Sequence, residues 1–160
     1  MQILIAAVGR MKSGPERELV DRYIQRAKAA GRAVSLTETR LIEIPEGRQD
    51  SAAGRKNAEA EILSAKIPSN AIIVLLDEKG KSVTSADFAN RVLQWRDASK
   101  PSVAFVIGGA DGLGDGLRAR ADWTIAFGAM TWPHQLARVM LAEQIYRTIT
   151  IASGHPYHRA

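Results

Sequence analysis

Five glycines fall within nine residues, 108–116. They follow an apolar run, residues 102–107, that is typical of a buried strand. Glycine accepts positive φ and lets a backbone lie against a ligand where a Cβ would collide, and ligands of open α/β sheets sit beyond the carboxyl ends of the strands. The pattern therefore predicts a ligand-binding loop; the alternative is a flexible surface turn.

Standard phosphate-binding motifs do not fit this chain. The dinucleotide fingerprint needs glycines at relative positions one, three and six. If Gly112 and Gly114 take positions one and three, position six is Leu117. The segment Gly80-Lys81-Ser82 resembles the end of a P-loop, but the required earlier glycine would fall at Leu75. The loops at the predicted strand ends would form a pocket of backbone and apolar groups. Such a pocket suits an adenine and a thioether better than a triphosphate.

The predicted strands end at Leu76, Gly108 and Phe127. If those strands are neighbours, the loops 76–79, 108–112 and 127–132 form one pocket. His134 follows Pro133 at a predicted helix start, where it either faces this pocket or hydrogen-bonds its own loop.

The carboxyl-terminal residues bring several titratable or charged groups together: His155, Tyr157, His158 and Arg159. Because termini usually fray, a disordered end is the alternative. The His-x-x-His spacing makes only a weak metal site without a third ligand, so we predict no metal. Arg138 and Arg147, in the last predicted helix, face either RNA phosphates or solvent.

The chain has 160 residues, no cysteine and a formal net charge of +5. The lack of cysteine excludes disulfides, zinc–thiolate sites, iron–sulfur clusters and a thiol nucleophile. The longest apolar run, residues 71–76, is far too short to span a bilayer, and the amino terminus resembles a strand more than a signal peptide. We expect one cytoplasmic domain over residues 1–160, with a modest basic excess that favours a polyanionic partner.

Apolar runs alternate with amphipathic segments along the chain, which predicts an α/β fold. The two-sided apolar runs 71–76 and 102–107 are typical of central parallel strands covered by helices on both faces. Strands are predicted at 2–9, within 33–44, and at 71–76, 102–107 and 123–127, and helices at 15–31, 53–66, 84–98, 117–121 and 133–151.

Four motifs together resemble one known family: residues 75–77 (LLD), 107–112 (IGGADG), 131–138 (TWPHQLAR) and 155–159 (HPYHR). The chain resembles the bacterial large-subunit rRNA methyltransferase H family, minimal members of the SPOUT methyltransferases, over its whole length. The resemblance implies a mostly parallel α/β sheet with a carboxyl-terminal trefoil knot, an exception to the rule that chains do not thread loops. It also implies an S-adenosylmethionine site, a homodimer and methylation of N3 of pseudouridine 1915 in 23S rRNA, at the ribosomal subunit interface.

The family's functional positions transfer to residues of this chain. The cofactor contacts fall on Leu76, Gly108, Phe127, Gly128, Ala129, Met130, Thr131 and Trp132. The terminal motif at the target base corresponds to His155, Tyr157 and Arg159. Gln135 stands where relatives often have proline, and Ala160 where they often end in a charged residue; neither is a proposed contact.

The resemblance leads to a mechanistic hypothesis. A sulfonium methyl group needs no metal, but an imide nitrogen must lose its proton. We expect His155 or Tyr157 to assist that loss, Arg159 to hold a phosphate or developing charge, and one subunit's tail or basic face to complete the other's site. Candidate rRNA contacts are Arg10, Lys12, Arg17, Arg22 and Arg26. The alternatives are a non-catalytic ribosome-binding or assembly factor and a nucleotide-binding oxidoreductase.

Overall fold

Strands and helices alternate along the whole chain. The structure is a computed structural model and describes residues 1–158. Its elements are β1 (Gln2–Val8), α1 (Pro15–Gly31), β2 (Glu38–Ile44), α2 (Ala52–Lys66), β3 (Ile72–Ser82), α3 (Ser85–Asp97), β4 (Ser102–Ile107), α4 (Asp115–Ala119), β5 (Trp123–Ala126) and α5 (His134–Ser153). A short 3₁₀ turn, Arg32–Val34, follows α1.

All five strands belong to one sheet in the order β2-β1-β4-β3-β5, and every pairing is parallel. Every residue of β4 is buried, because the sheet is covered on both faces. Apolar residues of α1, α3 and α5 pack on one face, and those of α2 and α4 pack on the other. The prediction of a parallel α/β sheet with helices on both faces is confirmed.

Local signals in the sequence set several helix ends. Pro15 occupies the first position of α1, where its missing N–H leaves no bond unmade. The hydroxyl of Thr84 accepts a hydrogen bond from the Asp87 amide, 3.1 Å away, and caps α3. Gly154 ends α5 in the left-handed conformation, with φ of 67°.

The third strand was predicted to end at residue 76, but it continues to Ser82. Ile125 of β5 pairs both with Leu76 and with Lys81, and residues 77–80 leave the ladder between these pairings. A Cβ at Gly80 would lie 2.4 Å from the carbonyl carbon of Ile125, so only glycine allows this close passage. The prediction was wrong here because the pairing depends on a tertiary contact that local composition does not encode. The trefoil knot stays a prediction.

Candidate active site

A cavity of about 440 Å³ opens at one edge of the sheet, beside residues 76–79 of β3 and the loops that follow β4 and β5. These strands are adjacent in the sheet, so the three segments meet. Seven of the eight predicted cofactor contacts line the cavity: Leu76, Gly108, Phe127, Gly128, Met130, Thr131 and Trp132. Ala129 belongs to the same loop and is exposed, but does not line the cavity.

The glycine loop after β4 requires its glycines. A Cβ at Gly108 would lie 2.7 Å from the carbonyl oxygen of Gly112. Gly112 has φ of +87°, and its amide donates to the Gly109 carbonyl over 3.0 Å. The loop is therefore a tight turn that depends on glycine at 108 and 112, and its residues line the cavity, in agreement with the ligand-loop interpretation.

A carboxylate in the irregular part of β3 is neutralised beside the cavity. Asp77 Oδ2 lies 2.5 Å from Nη2 of Arg118, and the Asp77 side chain is only 7% exposed. Arg118 also donates through Nε to the Leu113 carbonyl, 3.1 Å away. The pair thus joins β3 to α4 and to the glycine loop. Sequence reasoning did not assign Asp77 a role, although a carboxylate directly after a buried strand was a visible signal.

A second ion pair reaches the glycine loop from α2. Arg55 contacts both carboxylate oxygens of Asp111, with Nε 2.6 Å from Oδ2 and Nη2 3.1 Å from Oδ1. This hydrogen bonding lowers the pKa of Asp111 from its ordinary value and raises that of Arg55. Asp111 is therefore ionised at neutral pH. Sequence analysis missed Arg55 because its partner is 56 residues away.

The loop after β5 forms an exposed apolar rim. Met130 is 73% exposed and Trp132 is 41% exposed. The indole N–H of Trp132 donates to the Phe127 carbonyl, 3.2 Å away, and this bond closes the loop on itself. His134, which was predicted to face either the pocket or its own loop, lines the cavity.

Of the described residues of the predicted catalytic tail, Tyr157 lies against α1 and α5, and neither His155 nor Tyr157 lines this cavity. The hydroxyl of Tyr157 donates to Glu143 Oε1 over 3.1 Å and lies 3.4 Å from the hydroxyl of Tyr23. Arg147 stacks over the Tyr157 ring at 5.3 Å. Burial raises the pKa of Tyr157 well above its ordinary value, and the Tyr23 hydrogen bond and the Glu143 charge act in the same direction. Tyr157 is therefore a protonated phenol at neutral pH.

The exposed imidazole of His155 is engaged through one nitrogen. Its Nδ1 accepts a hydrogen bond from the backbone amide of Tyr157 over 3.1 Å. The neutral ring consequently carries its proton on Nε2. It can take up a second proton at Nδ1 only after this bond opens. Arg159, the third predicted catalytic residue, lies outside the described residues.

Three arginines have partners that the sequence did not indicate. Arg138 is 2% exposed and bonds to Glu43 and to the Val8 carbonyl, so it faces neither RNA nor solvent. Arg147 pairs with Glu143 at 2.6 Å. Arg17 pairs with Asp21 and with Glu43.

The remaining candidate rRNA contacts lie on two surfaces. Arg10 and Lys12 are exposed in the β1–α1 loop, at the same sheet edge as the cavity. Arg22 and Arg26 are exposed on α1, and the Arg26 guanidinium stands 5.8 Å from the Tyr146 ring centre. Of these four, Arg10 and Lys12 are therefore the two that share a sheet edge with the cavity.

Within residues 1–158, His, Asp and Glu side chains do not gather in a group of three or more that could hold a metal ion. Of the helices in this part of the chain, none has the length and apolarity needed to cross a membrane.

A parallel sheet with a glycine loop and a cavity at its edge is typical of ligand-binding α/β proteins. Residues 1–158 match the family model described as "Predicted SPOUT methyltransferase". The chain is 52% identical over 160 residues to the "Ribosomal RNA large subunit methyltransferase H" of Bradyrhizobium sp. strain BTAi1, and 53% identical to the protein of that name from Mesorhizobium japonicum, with both chains fully covered in each case. The chain belongs to the ribosomal RNA large subunit methyltransferase H family of SPOUT methyltransferases.

Solved structures support the fold. A probable methylase family protein from Haemophilus influenzae superimposes with a TM-score of 0.54 at 12% identity, over 99% of this chain and 70% of that one. A probable methyltransferase from Bordetella pertussis gives a TM-score of 0.50 at 13% identity, over 92% and 95%. At such low identity these likenesses concern the fold alone.

Proposed function

We propose that this protein, as one domain of 160 residues, transfers a methyl group from S-adenosylmethionine to N3 of a pseudouridine in 23S rRNA. The proposed target is pseudouridine 1915, the position that the family resemblance implies. A cytoplasmic location follows from that substrate. The observation that carries the proposal is the convergence of seven predicted donor contacts on one cavity. The names of the full-length relatives at about half identity support rRNA as the methylated molecule.

The residues around the cavity fit S-adenosylmethionine. Its volume of about 440 Å³ lies within the usual range of small-molecule sites, about 300–1,000 Å³. Gly128 has φ of +102°, and a Cβ there would meet nothing within 4 Å, so the loop borders open space. Backbone amides and carbonyls of the three loops can read the adenine, and the apolar side chains of Leu76, Phe127 and Met130 suit the thioether portion.

In this reaction the donor supplies an electrophilic methyl group. The chain's own task is to hold the donor against the strand ends and to receive the N3 proton as the nitrogen–methyl bond forms. Tyr157 is protonated and donates to Glu143, so it serves better as a hydrogen-bond donor than as a base. His155 becomes the stronger candidate for the base, accepting the proton at Nδ1 once its bond to the Tyr157 amide has opened.

The position of the tail supports a homodimeric site. His155 and Tyr157 do not line the cavity of their own subunit, so they act on a base in it either by moving or by reaching the cavity of a second subunit. We infer that the tail of one subunit completes the cavity of the other. Loss of methyl transfer in a monomeric variant that still binds the donor would support this inference, and an active monomer in sedimentation would contradict it.

A methylation assay tests the proposal directly. The protein is incubated with S-adenosylmethionine and, in separate reactions, with intact ribosomes, free large subunits and naked 23S rRNA, and the product nucleoside is identified by mass spectrometry. We expect N3-methylpseudouridine in at least one reaction. Tight binding to ribosomes without methylated product would instead support the assembly-factor alternative, and calorimetric binding of NADH without S-adenosylmethionine would support an oxidoreductase.

A further inference from the structure

One guanidinium joins two loops at the cavity edge. Besides its two bonds to Asp111 of the glycine loop, Arg55 donates through Nη1 to the carbonyls of Gln49 and Asp50, at 2.9 Å and 3.2 Å. Gln49 and Asp50 belong to the β2–α2 connection, residues 45–51. Arg55 therefore fixes the glycine loop and this connection relative to each other with four hydrogen bonds.

The face of α2 that carries Arg55 also supports the glycine loop by close packing. One turn along the helix, the buried carboxylate of Glu59 accepts a bond of 2.7 Å from the Gly47 amide. A Cβ at Gly109 would lie 3.1 Å from Glu59 Oε2, and a Cβ at Gly114 would lie 2.6 Å from the Lys56 carbonyl oxygen. Glycine at 109 and 114 is thus what allows the loop to rest on α2.

The position of Arg55 within α2 is unfavourable for the helix itself. The residue follows the N-cap Ser51 by four places, and the first turn contains no acidic residue. A cation close to a helix amino terminus opposes the helix dipole. The two-oxygen contact with Asp111 compensates for this, which indicates that the arginine is placed to hold the glycine loop.

We propose that Arg55 is a positioning residue for the methyl-donor site: it holds Asp111 and the 45–51 connection so that the glycine loop has its binding conformation before the donor arrives. This inference rests on the proposed function. Arg55 does not line the cavity, so it acts through Asp111, which does. Because both side chains are partly exposed, 30% and 27%, the pair contributes little to global stability. Its loss should be visible in loop order and donor affinity.

The test compares Arg55→Gln, Arg55→Lys, Asp111→Asn and the double variant Arg55→Gln/Asp111→Asn with the unaltered protein. The matched control is Arg40→Gln, an exposed arginine on the edge strand β2. Calorimetry with S-adenosylhomocysteine gives the dissociation constant. Hydrogen exchange without any ligand reports the order of residues 109–113 and 47–51, and urea unfolding reports global stability.

For Arg55→Gln we expect the dissociation constant to rise about tenfold, the scale of one charge-assisted hydrogen bond. Exchange should become faster in the two loops alone, with the urea midpoint unchanged. Arg55→Lys should bind more tightly than Arg55→Gln but more weakly than the unaltered protein. Lysine keeps the positive charge but cannot contact both carboxylate oxygens of Asp111 through two nitrogens. The double variant should bind no more weakly than the weaker single variant, since both substitutions remove the same contact.

An Arg55→Gln variant that binds S-adenosylhomocysteine within twofold of the unaltered protein, with unchanged loop exchange, would overturn this inference alone. Fully additive effects of the two substitutions would also overturn it, because Arg55 would then act by another route. If the unaltered protein bound neither S-adenosylhomocysteine nor S-adenosylmethionine, the proposed function itself would fall, and this inference with it.

Discussion

The guanidinium of Arg138 lies 2.9 Å from Glu43 Oε1, although 95 residues separate the two in the chain. Burial lowers the pKa of Arg138, and the Glu43 charge offsets part of this effect. Glu43 also accepts bonds from the Met11 amide and from Arg17. This carboxylate therefore joins the end of β2 to α5, to the β1–α1 loop and to the first turn of α1.

Replacing Glu43 by Gln should lower the free energy of unfolding by about 3 kcal/mol, because it leaves the Arg138 guanidinium buried without a counter-charge. Urea unfolding monitored by circular dichroism measures the change. Glu38→Gln, at the start of the same strand, is the control and should stay within about 0.5 kcal/mol. Equal effects of the two substitutions would show that Arg138 does not depend on Glu43.

The passage of Gly80 past Ile125 gives a second stability prediction. Gly80→Ala should lower the free energy of unfolding by about 2 kcal/mol, since its Cβ would lie 2.4 Å from backbone that must then shift. Gly116→Ala is the matched control: a Cβ in α4 meets nothing within 4 Å, so alanine should stabilise by about 0.5 kcal/mol. Thermal unfolding distinguishes the two, and a neutral Gly80→Ala would mean that the segment is free to move away.

Local patterns were sufficient to predict most of the sheet. Residues 102–107 were predicted as a strand with the bounds that the structure gives. A six-residue apolar run between Pro101 and a glycine cluster is too short for a helix and typical of a buried strand. The extension of β3 to Ser82 could not be predicted in this way. Lys81 and Ser82 are polar and exposed, and only their pairing with β5 makes them a strand.

The site was predictable to different degrees. The strand ends identified the cavity, and the family resemblance identified its lining. The burial of Arg138 had an overlooked signal: the residue precedes Leu141 and Ala142 by three and four places and so shares their apolar face. The contacts of Tyr157 with Tyr23 and Glu143 had none, because they depend on how α1 packs against α5.

The tail is expected to serve methyl transfer without contributing to donor binding. The double variant His155→Ala/Tyr157→Phe should lose at least about 100-fold in turnover, the usual scale for a lost proton acceptor. Its dissociation constant for S-adenosylhomocysteine should stay within twofold, because the proposed donor contacts lie at Leu76, at Gly108 and in the loop 127–132, and none lies in the tail. Ser153→Ala, at the end of α5, is the control and should behave as the unaltered protein in both assays. Normal turnover of the double variant would remove His155 and Tyr157 from the mechanism.

The raised pKa of Tyr157 predicts a specific alkaline effect. Unfolded tyrosine loses its proton near pH 10, whereas the folded phenol retains it to higher pH. The stability that Tyr157 contributes is therefore fully present below pH 10 and is lost as pH rises from there towards the folded pKa. In urea titrations the difference in unfolding free energy between the unaltered protein and Tyr157→Phe should be constant up to about pH 10 and shrink as the pH rises further. A constant difference would mean that the phenol titrates normally.

Arg10 and Lys12 are predicted to contact rRNA phosphates. Replacing either by Gln should weaken binding to a 23S rRNA fragment and reduce the slope of log affinity against log salt by about one, as one phosphate contact is lost. Filter binding at several salt concentrations measures both quantities. Arg32→Gln, exposed just beyond the other end of α1, is the control and should leave the slope unchanged. An unaltered slope in the Arg10 and Lys12 variants would exclude these residues from the RNA interface.

The cavity walls come from three stretches of chain, residues 76–79, 107–118 and 125–137, with Lys56 as a single addition from α2. During translation, a growing polypeptide consequently lacks this complete cavity until part of its final quarter has been synthesised. A product that stops after α4 would have most of the sheet and yet lack one whole wall. Termination before β5 should therefore yield fragments that do not bind the proposed donor.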